Sequence, residues 1–150
     1  MNEPMLSATA FLWLQHPIDE VAAFYTRLFD GDILSEDYGP TMQSATIRIL
    51  GQTLHLFNAG PYRDLTEAFS LMVTCSSQAE IDRLWDELAH DGTPTQCGWV
   101  TDRFGLTWQI IPDRLEEWLR DPEHGADVTA RMLEMVKIEI APLEAALRGD

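Results

Sequence analysis

The residues able to do chemistry in this 150-residue chain are few. There are four histidines, His16, His55, His90 and His124, and two cysteines, Cys75 and Cys97. His55 stands inside the alternating run Thr53-Leu54-His55-Leu56-Phe57-Asn58. Histidine as a residue type suits hydrogen bonding or proton transfer. It also suits a core position satisfied by a neighbour. His16 precedes Pro17 where a helix begins, while His90 and His124 fall near helix ends, where exposure is expected. Cys75 and Cys97 read either as a reactive pair or as two small buried hydrophobes. Two thiols are too few for a four-ligand structural zinc site.

Period-two alternation groups further side chains with these. Thr53, His55 and Phe57 share one strand face. Thr107 and Gln109 share another, and Ser70, Met72 and Thr74 a third, on the strand beginning at Phe69. Such a mixture of apolar and hydrogen-bonding groups is typical of small-molecule sites. Trp108 has the opposite parity to Gln109 and is expected beneath a helix. Trp13 is expected to pack beneath a helix too, alternating with Leu12 and Leu14. Trp85 lies on an apolar helix stripe.

The elements that must position these groups can be read in order. Thr9 to Gln15 is a strand, and Pro17 opens a helix with its stripe at Val21, Phe24, Tyr25 and Leu28, stopped by Gly31. Ser44 to Leu50 and Thr53 to Asn58 form a hairpin about Gly51-Gln52. After a loop from Ala59 to Ala68, Phe69 to Cys75 is a strand. Ser77 to Glu80 is a capping box, and Ile81, Leu84, Trp85 and Leu88 stripe the helix that Gly92 ends. Gln96 to Thr101 and Leu106 to Ile111 pair around Asp102-Arg103-Phe104-Gly105. Arg114 to Leu119, Val128 to Val136 and Pro142 to Leu147 are helical, with Met132, Met135, Val136 and Ile140 on an apolar stripe.

The order strand, helix, hairpin occurs twice. Asp19 to Leu28 aligns with Ala79 to Leu88, and Gly51 to Leu56 with Gly105 to Ile110. A unit present only twice is a duplicated module rather than a solenoid.

Net charge is −15, with Lys137 the one lysine, against 45% hydrophobic and 23% charged residues. That balance allows a real core and opposes nucleic-acid or anionic-membrane binding. It tilts ligand preference toward cationic or neutral compounds. No run approaches the roughly 18 apolar residues of a membrane span, and Met1 to Ala10 does not read as a signal peptide. A cytoplasmic location is the expectation.

In its repeated order, and in Asp19–Phe29, Leu56–Pro61, Glu67–Ser70, Cys97–Pro112 (CGWVTDRFGLTWQIIP) and Met135–Ala146, the chain resembles the vicinal-oxygen-chelate superfamily. This is the group of glyoxalases, dioxygenases and bleomycin-resistance proteins. Within it the chain looks most like the PhnB-like, 3-demethylubiquinone-9 3-methyltransferase-like family. The resemblance implies an α+β fold of two βαβββ modules forming a cupped mixed sheet, about 8–58 and 69–112, with a helical tail over 113–150, all in one domain. It also implies a homodimer.

Metal-binding relatives place ligands on the first and last strand of each half. Counted through the repeat, those positions fall at Ala10, His55, Ser70 and Gln109, where one histidine is left among weak or non-ligating groups. No metal and no cofactor are therefore expected. The expected ligand-binding set is His55, Phe57, Ser70, Met72, Thr107 and Gln109. The leading expectation is a metal-independent binder of a small molecule. One rival is an isomerase, lyase or group transferase with His55 as acid–base group and Ser70 or Gln109 polarising the substrate. Another is a structural dimer plugged by its own side chains. Methyl transfer finds no support, because the chain offers no strand, glycine-rich turn and helix near its start.

Overall fold

The computed structural model describes residues 5–150. They fall into two compact units divided between Leu65 and Thr66.

Unit 1 holds β1 (Ala10–Trp13), α1 (Ile18–Leu28), β2 (Asp32–Tyr38), β3 (Gln43–Ile49) and β4 (Gln52–Asn58). Its sheet has the order β1-β4-β3-β2, with β1 parallel to β4 and the other pairs antiparallel. Pro17 precedes α1, Asp19 and Glu20 sit in its first turn and Arg27 in its last, as the helix dipole favours. The stripe Val21, Phe24, Tyr25 and Leu28 is buried, as are Ala45, Ile47, Ile49, Leu54 and Leu56 on the strands α1 packs against.

Unit 2 repeats the plan with β5 (Ser70–Cys75), α2 (Gln78–Ala89), β6 (Thr93–Pro94), β7 (Trp99–Thr101) and β8 (Thr107–Pro112). Its strand order is β5-β8-β7-β6, again with the first and last strands parallel. Ser77 caps α2 by accepting the Glu80 amide at 3.2 Å, and the Glu80 carboxylate accepts from the Ser76 and Ser77 hydroxyls. The two α+β modules also share their helix exits. Asp30 and Asp91 both adopt left-handed φ, 52° and 56°, immediately before Gly31 and Gly92. At Gly92 a Cβ would stand 2.5 Å from the Thr101 carbonyl oxygen, and at Gly31 one would collide with the Arg48 carbonyl. Each glycine lets the chain leave its helix against the hairpin that follows.

The tail forms α3 (Leu115–Leu119), α4 (Gly125–Leu133) and α5 (Ile140–Leu147). Leu115, Trp118, Val128, Ile138, Leu143 and Ala146 gather with Ile111 into a core, and Met132, Met135 and Ile140 pack against it. The chain between α4 and α5 is tied down: Cys97 and Gly98 amides donate to Met135 and Val136 carbonyls at 2.8 Å. The Gln78 side chain bonds Ile138 and Ile140, and Lys137 reaches Asp82 at 2.8 Å.

Several expectations need correction. β2 and β6 carry no apolar alternation, and all seven residues of β2 are exposed, so neither strand stood out in the sequence. The first hairpin turns at Leu50-Gly51, both with positive φ, rather than at Gly51-Gln52. The strand expected from Gln96 begins only at Trp99, because Cys97 and Gly98 take left-handed φ of 57° and 84°. His124 is half-buried, not exposed, whereas His90 is exposed as expected. Val136 leaves the tail stripe and stays exposed.

Candidate functional site

Strand register decides which side chains meet. In unit 1, Phe11 lies opposite His55, Trp13 opposite Phe57, and Thr46 and Ser44 opposite His55 and Phe57. These residues, with Thr53, form the sheet face turned away from α1. The first-strand position expected at Ala10 is thus one residue off: Ala10 pairs with buried Leu54, and Phe11 stands beside the histidine. Trp13 is corrected likewise. Leu12 and Leu14 are buried, while Trp13 points to the opposite face, edge-on to Phe57 at 5.1 Å, and donates to the Gly60 carbonyl at 3.0 Å.

His55 is half-buried. Its Nδ1 and Thr46 Oγ1 share a hydrogen bond of 2.9 Å. The Phe11 ring stacks on the imidazole at 5.0 Å and 19°. If Thr46 donates, Nε2 carries the proton and is a donor; if Nδ1–H donates, Nε2 is an acceptor. Either way one ring nitrogen is committed to the protein, so Nε2 is the atom that can address a ligand. Phe57, also half-buried, tilts against Phe11 at 5.0 Å and 45°.

In unit 2, Ser70 pairs with Thr107 and Met72 with Gln109 on the parallel β5–β8 ladder. Gln109 Nε2 donates to Ser70 Oγ at 2.8 Å. Thr101 and Thr107 hydroxyls bond each other at 2.8 Å, and Thr107 is only 2% exposed. Met72 on the same face is 54% exposed. So the six expected residues divide: His55 and Phe57 belong to unit 1, and Ser70, Met72, Thr107 and Gln109 to unit 2.

The opposite face of that sheet holds a group the sequence reading treated only as a turn. Asp102 is buried, with Oδ1 accepting the Phe104 and Leu106 amides at 2.9 and 3.1 Å and Oδ2 accepting Trp108 Nε1–H at 2.9 Å. The signal was there: an aspartate opening a tight turn, followed by a buried-parity tryptophan that needs an acceptor. Trp108 and Trp85 are buried as expected. Both cysteines are free thiols. Cys75 is buried, and burial pushes its thiol up to about 11, whereas Cys97 is partly exposed.

Among the described residues, no three or more His, Cys, Asp or Glu side chains gather as a metal set, and no helix is long and apolar enough to cross a membrane.

The model of the family described as 3-demethylubiquinone-9 3-methyltransferase matches residues 7–111. The chain belongs to that family. Among solved structures, a PhnB protein from Bacillus cereus is 30% identical, covers 71% of this chain and 99% of its own, and has a TM-score of 0.64. A Pseudomonas aeruginosa protein is 20% identical with a TM-score of 0.60, covering 72% of this chain and 98% of its own. The fosfomycin resistance protein FosX from Listeria monocytogenes, in complex with Mn(II) and sulfate, is 14% identical over 77% of this chain and 100% of its own, with a TM-score of 0.58. The family and these neighbours place the fold in the vicinal-oxygen-chelate superfamily. A search of the curated proteins finds no match.

Proposed function

We propose that this family member binds a small organic molecule without the help of a divalent metal. One observation carries the reading: the positions expected to ligate hold no carboxylate, and their hydrogen-bonding side chains are already bonded to protein. His55 is held by Thr46, and the Gln109 amide by Ser70. FosX, a neighbour by fold, holds Mn(II) in its structure. Here the residues counted as equivalent do not fit such an ion. Ala10 turns to the core side, Ser70 and Gln109 bring no charge, and His55 is left as a lone imidazole where about three or more ligands are needed. What the faces do offer is rings, hydroxyls, a thioether and an amide, the chemistry of an organic-ligand site.

The test is thermal melting of the purified chain against metabolites and against Mn²⁺, Zn²⁺ and Fe²⁺. A ligand that binds the folded state raises the midpoint with concentration. Stabilisation by an organic compound, unaffected by chelator, supports the reading. Stabilisation by a metal, lost in His55→Ala, overturns it.

A second reading has its own support in the Thr46–His55 bond, which orients the imidazole as an acid–base group needs. On that reading the ligand is turned over, and His55→Ala abolishes turnover while leaving binding. The family name refers to methyl transfer, yet both sheets have the mixed order described above rather than a doubly wound parallel one. Methyl transfer is therefore not proposed. A cytoplasmic homodimer completes the reading, checked by sedimentation equilibrium, where a monomer mass would remove the dimer.

A further inference from the structure

The exposed sheet face of unit 1 carries a row of four rings: His55, Phe11, Phe57 and Trp13. We propose that this row is a stacking platform for a planar aromatic cation. The proposal names the ligand class of the small-molecule reading above and rests on it.

The first observation is that the row is not there to pack α1. Ala45, Ile47 and Ile49 of β3 and Leu54 and Leu56 of β4, with the other parity, do that, and these five are buried. Phe11, at the centre of the row, is nevertheless 55% exposed. Its ring centroid lies 5.0 Å from those of both His55 and Phe57. A flat ligand laid against it meets a rigid apolar surface and loses little side-chain freedom in ordering it.

The second observation is what the row already accepts. The Arg63 guanidinium, itself a planar cation, lies over the Trp13 ring with its central carbon 5.8 Å from the centroid. Ring faces are negative, and they attract such groups.

The third is charge. Asp37 on β2 lies opposite Ser44, on the same face as Phe57 and His55, and its carboxylate is exposed. Asp32 and Arg48 are directly opposed in register, so the Thr53 end of the face carries one charge of each sign. Ser44, Thr46 and Thr53 add neutral hydroxyls. The cations on this face are Arg63 at the Trp13 end and Arg48 opposite Asp32 at the Thr53 end, and the chain as a whole carries −15.

The experiment titrates the full chain with three probes by calorimetry and by NMR of the probe protons. N-methylquinolinium is a planar cation, N-methyl-decahydroquinolinium a saturated cation of similar size, and 1-naphthoate a planar anion. N-methylquinolinium should bind about fivefold or more tightly than either of the others, with its ring protons shifted upfield by stacking. Phe11→Leu keeps an apolar side chain at an exposed site. It should remove the preference between the two cations while the chain still melts cooperatively, and Phe57→Leu should reduce that preference. Asp37→Asn should narrow the gap to 1-naphthoate. Equal binding of the two cations, a preference for 1-naphthoate, absence of the upfield shift, or a full preference in Phe11→Leu each overturns the platform. If N-methylquinolinium fails while a non-planar compound binds and perturbs Ser70 and Gln109, the platform falls and the small-molecule reading stands. If no compound binds, both fall.

Discussion

Thr46 Oγ1 and His55 Nδ1 meet at 2.9 Å across the β3–β4 ladder, directly opposite one another in register. This bond commits Nδ1 of the one imidazole on the aromatic face to the protein and leaves Nε2 for a ligand. Thr46→Val removes the hydroxyl at nearly equal volume and should move the Nδ1 chemical shift of His55, with about 1 kcal/mol lost from stability. Unchanged shifts in the variant would remove Thr46 from this role.

Asp102 ties one turn and one tryptophan together through three accepted hydrogen bonds. Asp102→Ala leaves two amides and the Trp108 indole N–H buried without that acceptor. It should cost about 3 kcal/mol or more in urea unfolding. Asp102→Asn should cost less, about 2 kcal/mol, because its oxygen can still serve the turn while its NH₂ opposes the indole. Equal stability of all three proteins would show that Asp102 is not the keystone of the DRFG turn.

The two thiols should separate by pH. Burial holds the Cys75 pKa at about 11, above its ordinary 9.0. At pH 8 iodoacetamide should label partly exposed Cys97 first, with Cys75 labelled only on unfolding. The linkage has a definite sign. Between about 9 and 11 the unfolded chain loses the Cys75 proton and the folded one keeps it. Stability should therefore fall as pH rises through that window, and Cys75→Ala should flatten the fall. Rapid labelling of Cys75 in the native protein at pH 8 would contradict this.

Gly92 and Gly31 are predicted to tolerate no side chain. A Cβ on Gly92 would press on the Thr101 and Leu88 carbonyl oxygens at 2.5 and 2.7 Å. Backbone atoms cannot swing aside, so Gly92→Ala should cost more than about 2 kcal/mol. Gly31→Ala should behave alike, since the Arg48 carbonyl fills the equivalent space. Gly51, where nothing lies within 4 Å, is the contrasting site. Its φ of 76° costs Ala about 1 kcal/mol through backbone strain alone. Chemical denaturation of the three variants checks the order.

The duplicated strand–helix–hairpin plan was legible in the residues themselves. Helix stripes such as Val21, Phe24, Tyr25 and Leu28 repeat with a period the backbone imposes locally, and Ser77 and Glu80 mark a helix start through contacts three residues apart. The family was legible as well, in the string from Cys97 to Pro112, whereas the hydrogen bond that joins its Asp102 to Trp108 emerged only from the structure. What tertiary structure alone decided was register. Whether Ala10 or Phe11 stands beside His55 depends on how β1 slides along β4, two strands separated by a helix and a hairpin in the chain. A slip of one residue exchanges the two faces, so it moved Trp13 from the helix side to the aromatic row. The exposed strand β2, with Asp37 on the face of that row, was invisible for the same reason: an edge strand is stabilised by its neighbour's hydrogen bonds, and these leave no pattern in its own residues.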